Sequence, residues 1–171
     1  TGQILDILRA EGVKAVFFVT GHRIDGSKSD AVKNRETLRE TFRRGHLIGN
    51  HSYLHTRLTD LPLGRVRWEL NRTSTLVEQV TGVRPRLMRP PYGPRATPEL
   101  LQLIASLGYT QVLWSVDTLD WMVAHRQRTA SRAIDLIQKQ NGGVVLLHDT
   151  HVESVEAFPL IMDWILRENA D

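Results

Sequence analysis

The sequence predicts an α/β fold in which helices cover a mainly parallel sheet, arranged either as an open doubly wound sheet or as a barrel. Segments with helical periodicity alternate along the chain with short, almost continuously apolar segments, which are typical of parallel strands buried on both faces. The 171 residues, 41% of them hydrophobic, are enough for one domain with a full core. Because no repeat or low-complexity segment interrupts the alternation, we expect a single domain over residues 1–171.

Each predicted helix is supported by an apolar face, a cap or a terminating glycine. The first three are expected to end at Gly12, Gly45 and Gly82, where a left-handed residue stops a helix without strain. Thr97 is expected to cap the fourth helix, with Pro98 at its first position. The predicted helices cover 4–8, 36–44, 63–80, 98–107, 130–137 and 155–166.

Each predicted strand is short, apolar and bounded by turn residues. The segments 15–19 and 144–147 are the most apolar, and Pro90 ends the strand that precedes it. The predicted strands cover 15–19, 47–49, 86–89, 109–116 and 144–147.

The composition excludes several functions. With no cysteine, the sequence excludes disulfides, thiolate catalysis, iron–sulfur clusters and sulfur-bound zinc, so any metal must be held by histidine and carboxylate. The 22 basic and 19 acidic residues give a net charge of +3 without a polybasic block, so we expect no nucleic-acid partner. Every apolar run is far shorter than the ~20 residues that cross a membrane, so we expect no membrane span.

Four polar residues lie at or just after the C-terminal end of a predicted strand: His51, Arg89, Asp117 and His148. In parallel α/β folds this edge of the sheet is where active sites form, so the placement predicts a site there. The other histidines lack this placement and are expected to be solvated; they are His22, His46, His125 and His151.

The clearest candidate for metal binding is the pair His51 and His55. Four residues apart, two imidazoles can lie on the same side of one helical turn and bind one ion. A catalytic zinc-like site needs three protein ligands and an open position for water, so we expect a carboxylate to complete it. The alternative is a pair of surface or capping histidines, and the spacing alone does not decide between them.

Three further segments can contribute to a site. The segment Arg89–Pro90–Pro91–Tyr92–Gly93 can hold a guanidinium and a backbone N–H in a rigid bend, or be an ordinary turn. Asp117 and Asp120 can each orient a histidine or cap a turn, and Trp121 can line a site or belong to the core. His148 follows the last predicted strand beside an acid, where it is placed for proton transfer near neutral pH.

Taken in order, four segments resemble the motifs of the polysaccharide deacetylases, the NodB homology domain of carbohydrate esterase family four. They are His51–Ser52–x–x–His55, Arg89–Pro90–Pro91–Tyr92–Gly93, Asp117–x–x–Asp120–Trp121 and Leu146–x–His148. The resemblance covers nearly the whole chain, because Gln3 to Gly21 is also similar to that family's first helix and second strand. It implies a distorted (β/α) barrel with a groove at the C-terminal ends of the strands.

The resemblance assigns the first two motifs to the metal and the oxyanion. His51 and His55 would bind a divalent metal, with zinc as the expected ion. Arg89 would orient the catalytic base, and the backbone N–H of Tyr92 would stabilise the oxyanion.

The resemblance assigns the last two motifs to proton transfer and to the acetyl group. Asp120 would hold His148, which would act as the general acid. Trp121 and Leu146 would line the pocket for the acetyl methyl group.

One part of the family's pattern is not in this sequence. The family's first strand ends in Thr-Phe-Asp-Asp-Gly, in which one Asp is the catalytic base and the other the third metal ligand, and residues 1–171 contain no such motif. We therefore expect a catalytic domain whose barrel is incomplete at both ends, with the first strand and a closing strand outside these residues. The alternative is a remnant of the fold without full activity.

The resemblance also implies a substrate and a location. We expect a hydrolase that removes acetyl groups from the N-acetylated sugars of a polysaccharide such as peptidoglycan or chitin, secreted or held in the cell envelope. An esterase for O-acetyl groups on xylan-like polymers, and a non-catalytic carbohydrate-binding module, stay open as alternatives. The expected partner in each case is an acetylated polysaccharide or oligosaccharide.

Overall fold

The structure is a computed structural model that describes residues 1–93, 96–122 and 125–169, and it divides into two compact units. One unit is Lys14–Leu113, and the other combines Thr1–Val13 with Trp114–Asp171. The helices are α1 (Gly2–Ala10), α2 (Ser29–Arg43), α3 (Leu63–Thr81), α4 (Pro98–Ser106), α5 (Arg126–Gln140) and α6 (Val152–Glu168). The strands are β1 (Val16–Val19), β2 (Leu47–Asn50), β3 (Leu87–Met88), β4 (Thr110–Gln111), β5 (Val116–Asp117) and β6 (Val145–Leu146).

The unit over 14–113 contains a parallel sheet in the order β1-β2-β3-β4, which confirms the predicted α/β architecture with parallel strands. Its core lies between the sheet and helices α3 and α4, where Val66, Leu70 and Met88 are fully buried. Burying side chains of this size stabilises the fold by about 1.5–3 kcal/mol each. Helix α3 ends at Gly82 in the left-handed conformation, and the Thr97 hydroxyl accepts the Leu100 N–H at the start of α4, both as predicted.

The second unit contains β5 and β6, paired in parallel, and helices α1, α5 and α6. Its core forms where α5 and α6 pack on the strand residue Val116 through small and branched side chains, among them Ala133, Ala157 and Ile161. On α1 the predicted apolar face is confirmed, since Ile4, Leu5 and Leu8 are buried. Within the described ranges, no helix is long and apolar enough to cross a membrane.

The prediction of one strand over 109–116 is wrong. This segment forms β4 and β5, which belong to separate sheets. Between them, the carbonyls of Val112 and Leu113 accept hydrogen bonds from the Arg89 side chain. The apolar sequence does not reveal this break, because the pattern of side chains does not show that the two carbonyls accept hydrogen bonds from a guanidinium instead of from a neighbouring strand.

The second helix is longer than predicted and starts at Ser29 instead of residue 36. Its first two turns are mostly polar, so they have little apolar periodicity. Ala31 and Leu38, which are buried on the same side, fix it to the unit.

The expectation that His46 is solvated is also wrong. The side chain is 2% exposed, its Nδ1 accepts the Ala15 N–H at 3.2 Å, and its ring packs edge-on against Phe17. Its Nε2 is buried without a hydrogen-bond partner. Burial lowers the pKa of His46, and the positive charges of Lys14 and Arg44 lower it further.

This burial predicts that stability falls in mild acid. The unfolded chain takes up a proton on His46 near the ordinary pKa of about 6.5, whereas the folded protein resists it, so the free energy of unfolding should fall as the pH drops below about 6.5. In His46→Asn, whose Oδ1 can accept the same N–H, this slope should be shallower. Urea unfolding at neutral and mildly acid pH measures the difference, and equal slopes for both proteins would contradict the prediction.

Candidate active site

The polar residues of the first two motifs lie at the C-terminal edge of the four-stranded sheet, as predicted. His51 follows β2 and donates its backbone N–H to Val19 at 2.9 Å, and Arg89 follows β3 and donates its N–H to Asn50 at 2.9 Å. Because β2 and β3 are neighbouring parallel strands, the sheet places His51 and Arg89 side by side.

The structure brings His51 and His55 together. Their ring centroids are 4.9 Å apart and the rings lie at 70°. The pair comes from an irregular loop after β2 and not from the predicted helical turn. Nδ1 of His51 lies 2.6 Å from the carbonyl oxygen of Arg89, so Nδ1 carries the proton and Nε2 carries the lone pair that ligates metals.

The loop between the two histidines is held in an uncommon backbone conformation. Ser52 and His55 have φ of 62° and 61°, in the left-handed region that residues other than glycine rarely occupy. Ser52 is fully buried, donates its N–H to Oδ1 of Asn50 at 2.9 Å and accepts the His55 N–H on its hydroxyl at 3.1 Å. Such conformations persist where the surroundings determine them, and they cluster at functional sites.

The pair has the chemistry of part of a metal centre. Imidazole nitrogens suit zinc, and a carbonyl on the other ring nitrogen is the usual outer contact of a metal-binding histidine. In the part of the chain that the structure describes, no group of three or more His, Asp or Glu residues is assembled around a common point. His51 and His55 therefore fit a metal as two of the three protein ligands that zinc hydrolases use.

Arg89 is almost fully buried, at 8% exposure, and is held rigidly. Its Nε and Nη2 donate to the carbonyls of Val112 and Leu113 at 3.1 and 3.0 Å, and its guanidinium carbon lies 4.3 Å from the centre of the Phe18 ring. Burial lowers the pKa of Arg89, which still leaves it charged at neutral pH. Gly49 in β2 makes room for Phe18, because a Cβ there would collide with the ring.

Tyr92 lies next to the histidine pair. Its ring packs edge-on against His55 with centroids 5.0 Å apart, and the Arg57 guanidinium carbon lies over the Tyr92 ring, 5.0 Å from its centroid. Its backbone is left-handed, with φ of 65°, and follows the buried Pro90 and Pro91. The bend therefore fixes the direction of the Tyr92 peptide next to His55.

In the second unit, Asp120 forms hydrogen bonds with both the ring and the backbone N–H of His148. Oδ1 of Asp120 lies 2.8 Å from Nδ1 of His148, and Oδ2 accepts the His148 backbone N–H at 2.7 Å. Burial alone would raise the pKa of Asp120, but hydrogen bonding, first from His148 and also from Ser154, holds this pKa below its ordinary value. The buried carboxylate fixes the orientation of the His148 ring and its tautomer, while the ring itself is one-third exposed.

The remaining candidate residues of this unit are Asp117, Trp121 and Leu146, and they differ in their contacts and exposure. Asp117 caps a turn, since its carboxylate accepts the Leu119 N–H at 3.1 Å. Trp121 is 54% exposed and so does not belong to the core, whereas Leu146 on β6 is buried.

Two side chains that the sequence did not indicate hold the histidine loop. Nδ2 of Asn50 lies 2.8 Å from the Leu70 carbonyl and 3.0 Å from the Ser74 hydroxyl. Glu69, fully buried on α3, accepts backbone N–H groups from the loop itself. One sequence feature does mark Glu69. It follows Val66 by three positions, which places a charged residue within the apolar face of α3.

The chain is similar in sequence and fold to known proteins. The family model described as polysaccharide deacetylase matches residues 1–112. The solved structure of the peptidoglycan deacetylase PdaC from Bacillus subtilis is 31% identical, with a TM-score of 0.83 over 98% of this chain and 76% of that one. A family 4 carbohydrate esterase from Streptomyces lividans, solved in complex with acetate, is 29% identical with a TM-score of 0.82 over 98% of this chain and 82% of that one.

Curated sequences give the same picture. The peptidoglycan-N-acetylglucosamine deacetylase PgdA of Listeria monocytogenes is 32% identical over 151 residues, which are 88% of this chain and 30% of that protein. The chain spans 46%, 31% and 57% of the length of the first three curated relatives that it matches.

Proposed function

Because the chain belongs to the polysaccharide deacetylase family, we propose that it forms the catalytic domain of a metal-dependent hydrolase that removes acetyl groups from N-acetylated sugars of peptidoglycan. The observation that carries this proposal is the histidine pair, with rings 4.9 Å apart and Nδ1 of His51 fixed on a backbone carbonyl. A sheet edge that only binds sugar needs no such arrangement of two imidazoles.

His51 and His55 would hold the metal through Nε2. A divalent ion, zinc by resemblance to the family, polarises a water molecule and the acetamide carbonyl when it is bound. The third ligand and the catalytic base would be the two carboxylates that the family places in its Thr-Phe-Asp-Asp-Gly motif, which is not among residues 1–171. Arg89, rigid and charged in its buried position, would orient the base.

The backbone N–H of Tyr92 would donate to the oxygen that becomes negative when water adds to the acetyl carbon. The left-handed bend at Tyr92 fixes this donor before the reaction. A single preorganised donor of this kind lowers the barrier by about 3 kcal/mol.

His148 would protonate the departing amine. Asp120 accepts a hydrogen bond from Nδ1–H of His148. Nε2 is therefore the nitrogen that would carry the second proton and deliver it to the leaving group. Trp121, exposed beside Asp120, and Leu146 would contact the acetyl group or the sugar.

Peptidoglycan is the proposed polymer because PdaC and PgdA are named for that substrate. A peptidoglycan deacetylase meets its polymer outside the cytoplasmic membrane, so we propose a secreted or envelope-held protein.

Acetate release from three polymers tests this function. The protein at its full natural length, supplied with zinc, should release acetate from peptidoglycan, more slowly from chitooligosaccharide, and least from acetylated xylan. Release from xylan alone would support the O-acetyl esterase instead. Glycan binding without release from any of the three would contradict the proposal and favour the non-catalytic module.

A further inference from the structure

We propose that Glu69 is a positioning residue that fixes the loop between His51 and His55 in the shape that binds metal. This inference rests on the proposed function for its consequence, but its structural part stands on the contacts of Glu69 alone. Glu69 belongs to α3 and lies 14 positions beyond His55 in the sequence, so helix packing and not chain connectivity brings it to the loop.

The Glu69 carboxylate binds the middle of the loop. Its Oε2 accepts the backbone N–H of Tyr53 at 2.7 Å and that of Leu54 at 2.8 Å. These two residues lie between His51 and His55, so a single oxygen fixes the two central peptides of the four that connect the two histidines. Bonds from N–H groups to a carboxylate are shorter and stronger than neutral hydrogen bonds.

The loop needs this acceptor because its own conformation is unfavourable. Ser52 and His55 are both left-handed, and neither is glycine. An acceptor that takes two successive N–H groups between them holds the chain in that conformation. Leu54 is 49% exposed, so without the Glu69 carboxylate its N–H can turn toward water. The loop would then change shape and the two imidazole rings would separate, while the rest of the unit stays folded.

The second oxygen of Glu69 has a different role. Oε1 lies 3.1 Å from Nη2 of Arg65, whose side chain is 41% exposed and whose guanidinium lies over the Trp68 ring at 4.2 Å. The two oxygens of Glu69 thus have different partners, Arg65 for Oε1 and the loop N–H groups for Oε2. The ion pair with Arg65 and the bonds to the loop can therefore be separated by mutation.

Three variants separate position from charge. Glu69→Gln keeps an oxygen where Oε2 lies, Glu69→Asp keeps the charge but withdraws the oxygen by one methylene, and Glu69→Ala removes both. Arg65→Ala removes only the ion pair. Leu100→Ala, which truncates a buried core residue on α4, controls for general loss of stability.

Two measurements on the full chain test whether Glu69 fixes the loop, and neither depends on enzyme activity. One is zinc affinity by competition with a chelator. The other is hydrogen exchange of the Tyr53 and Leu54 amides in the metal-free protein. We expect Glu69→Ala and Glu69→Asp to lose at least about tenfold in zinc affinity, the scale on which supporting contacts of metal ligands act, and to exchange both amides faster.

In Glu69→Gln, Arg65→Ala and Leu100→Ala the zinc affinity should stay within about threefold of the parent, well short of the loss typical for a supporting contact. Slow amide exchange in Glu69→Asp, or an equal loss of zinc affinity in Leu100→Ala, would overturn the inference. If Glu69→Ala does not fold, the comparison of Glu69→Asp with Glu69→Gln decides it. A parent protein that binds no zinc counts against the proposed function and the metal-binding consequence together, whereas amide exchange still decides whether Glu69 holds the loop.

Discussion

Replacing His148 by alanine is expected to lower kcat for acetate release from N-acetylated glycan by roughly 10²–10⁴-fold, the range typical of a lost general acid. The reason is the leaving group, since an amine cannot depart from the tetrahedral intermediate without a proton. Asp120 presents His148 for this step by binding both its ring and its backbone. Steady-state kinetics on a soluble chitooligosaccharide or a peptidoglycan fragment measure the loss.

The leaving group also provides the control for this prediction. The leaving group of 4-nitrophenyl acetate is 4-nitrophenolate, which departs as an anion without protonation, so His148→Ala should lose less than about tenfold on this ester, below the range of a lost general acid. His125→Ala removes an exposed imidazole of the same unit, and it should keep kcat within about twofold on both substrates. Equal losses of His148→Ala on amide and ester would contradict a role in leaving-group protonation.

Replacing His51 by alanine is expected to lower zinc affinity by more than about 100-fold, the upper limit for losing a contact that only supports a ligand. His51 is a proposed ligand whose ring orientation the Arg89 carbonyl sets, and its loss would leave His55 as a single imidazole at the proposed site. Activity should fall with occupancy of the metal. Zinc content after dialysis and chelator competition measure the affinity.

Rescue by zinc separates metal loss from misfolding. In His51→Ala, millimolar zinc should restore part of the activity, and the free energy of unfolding of the metal-free protein should stay close to that of the parent. His125→Ala, an exposed histidine of the other unit, is the matched control and should bind zinc like the parent. A His51→Ala protein that binds zinc as tightly as the parent would show that the pair is not the metal site.

The sequence predicted where the candidate site lies better than it predicted the side-chain contacts within the site. His51 and Arg89 could be placed because each follows an apolar strand, and the ends of parallel strands meet at one edge of a sheet. Residue type and position alone did not distinguish Asp117 from Asp120, because both follow the same strand end, and only the family resemblance assigned Asp120 to His148. The turn at Leu119, with φ of 49°, decides that Asp117 caps the turn and Asp120 reaches His148.

Buried polar residues were the hardest to predict. His46 follows a glycine that ends a helix, a position typical of surface turns, yet it packs under Phe17. Glu69 lies within the apolar face of α3, three positions after Val66, but only the three-dimensional path of the 52–55 loop shows which N–H groups it accepts. In both cases the contacting segments are distant in sequence, so local periodicity does not identify the contacts of the side chain.

Crystals of the protein grown with zinc, with diffraction recorded on both sides of the zinc absorption edge, test whether His51 and His55 share one metal ion. We expect one anomalous peak about 2.0–2.1 Å from Nε2 of both histidines. A peak that contacts neither ring, or that contacts Nδ1 of His51 after its bond to Arg89 is broken, would contradict it.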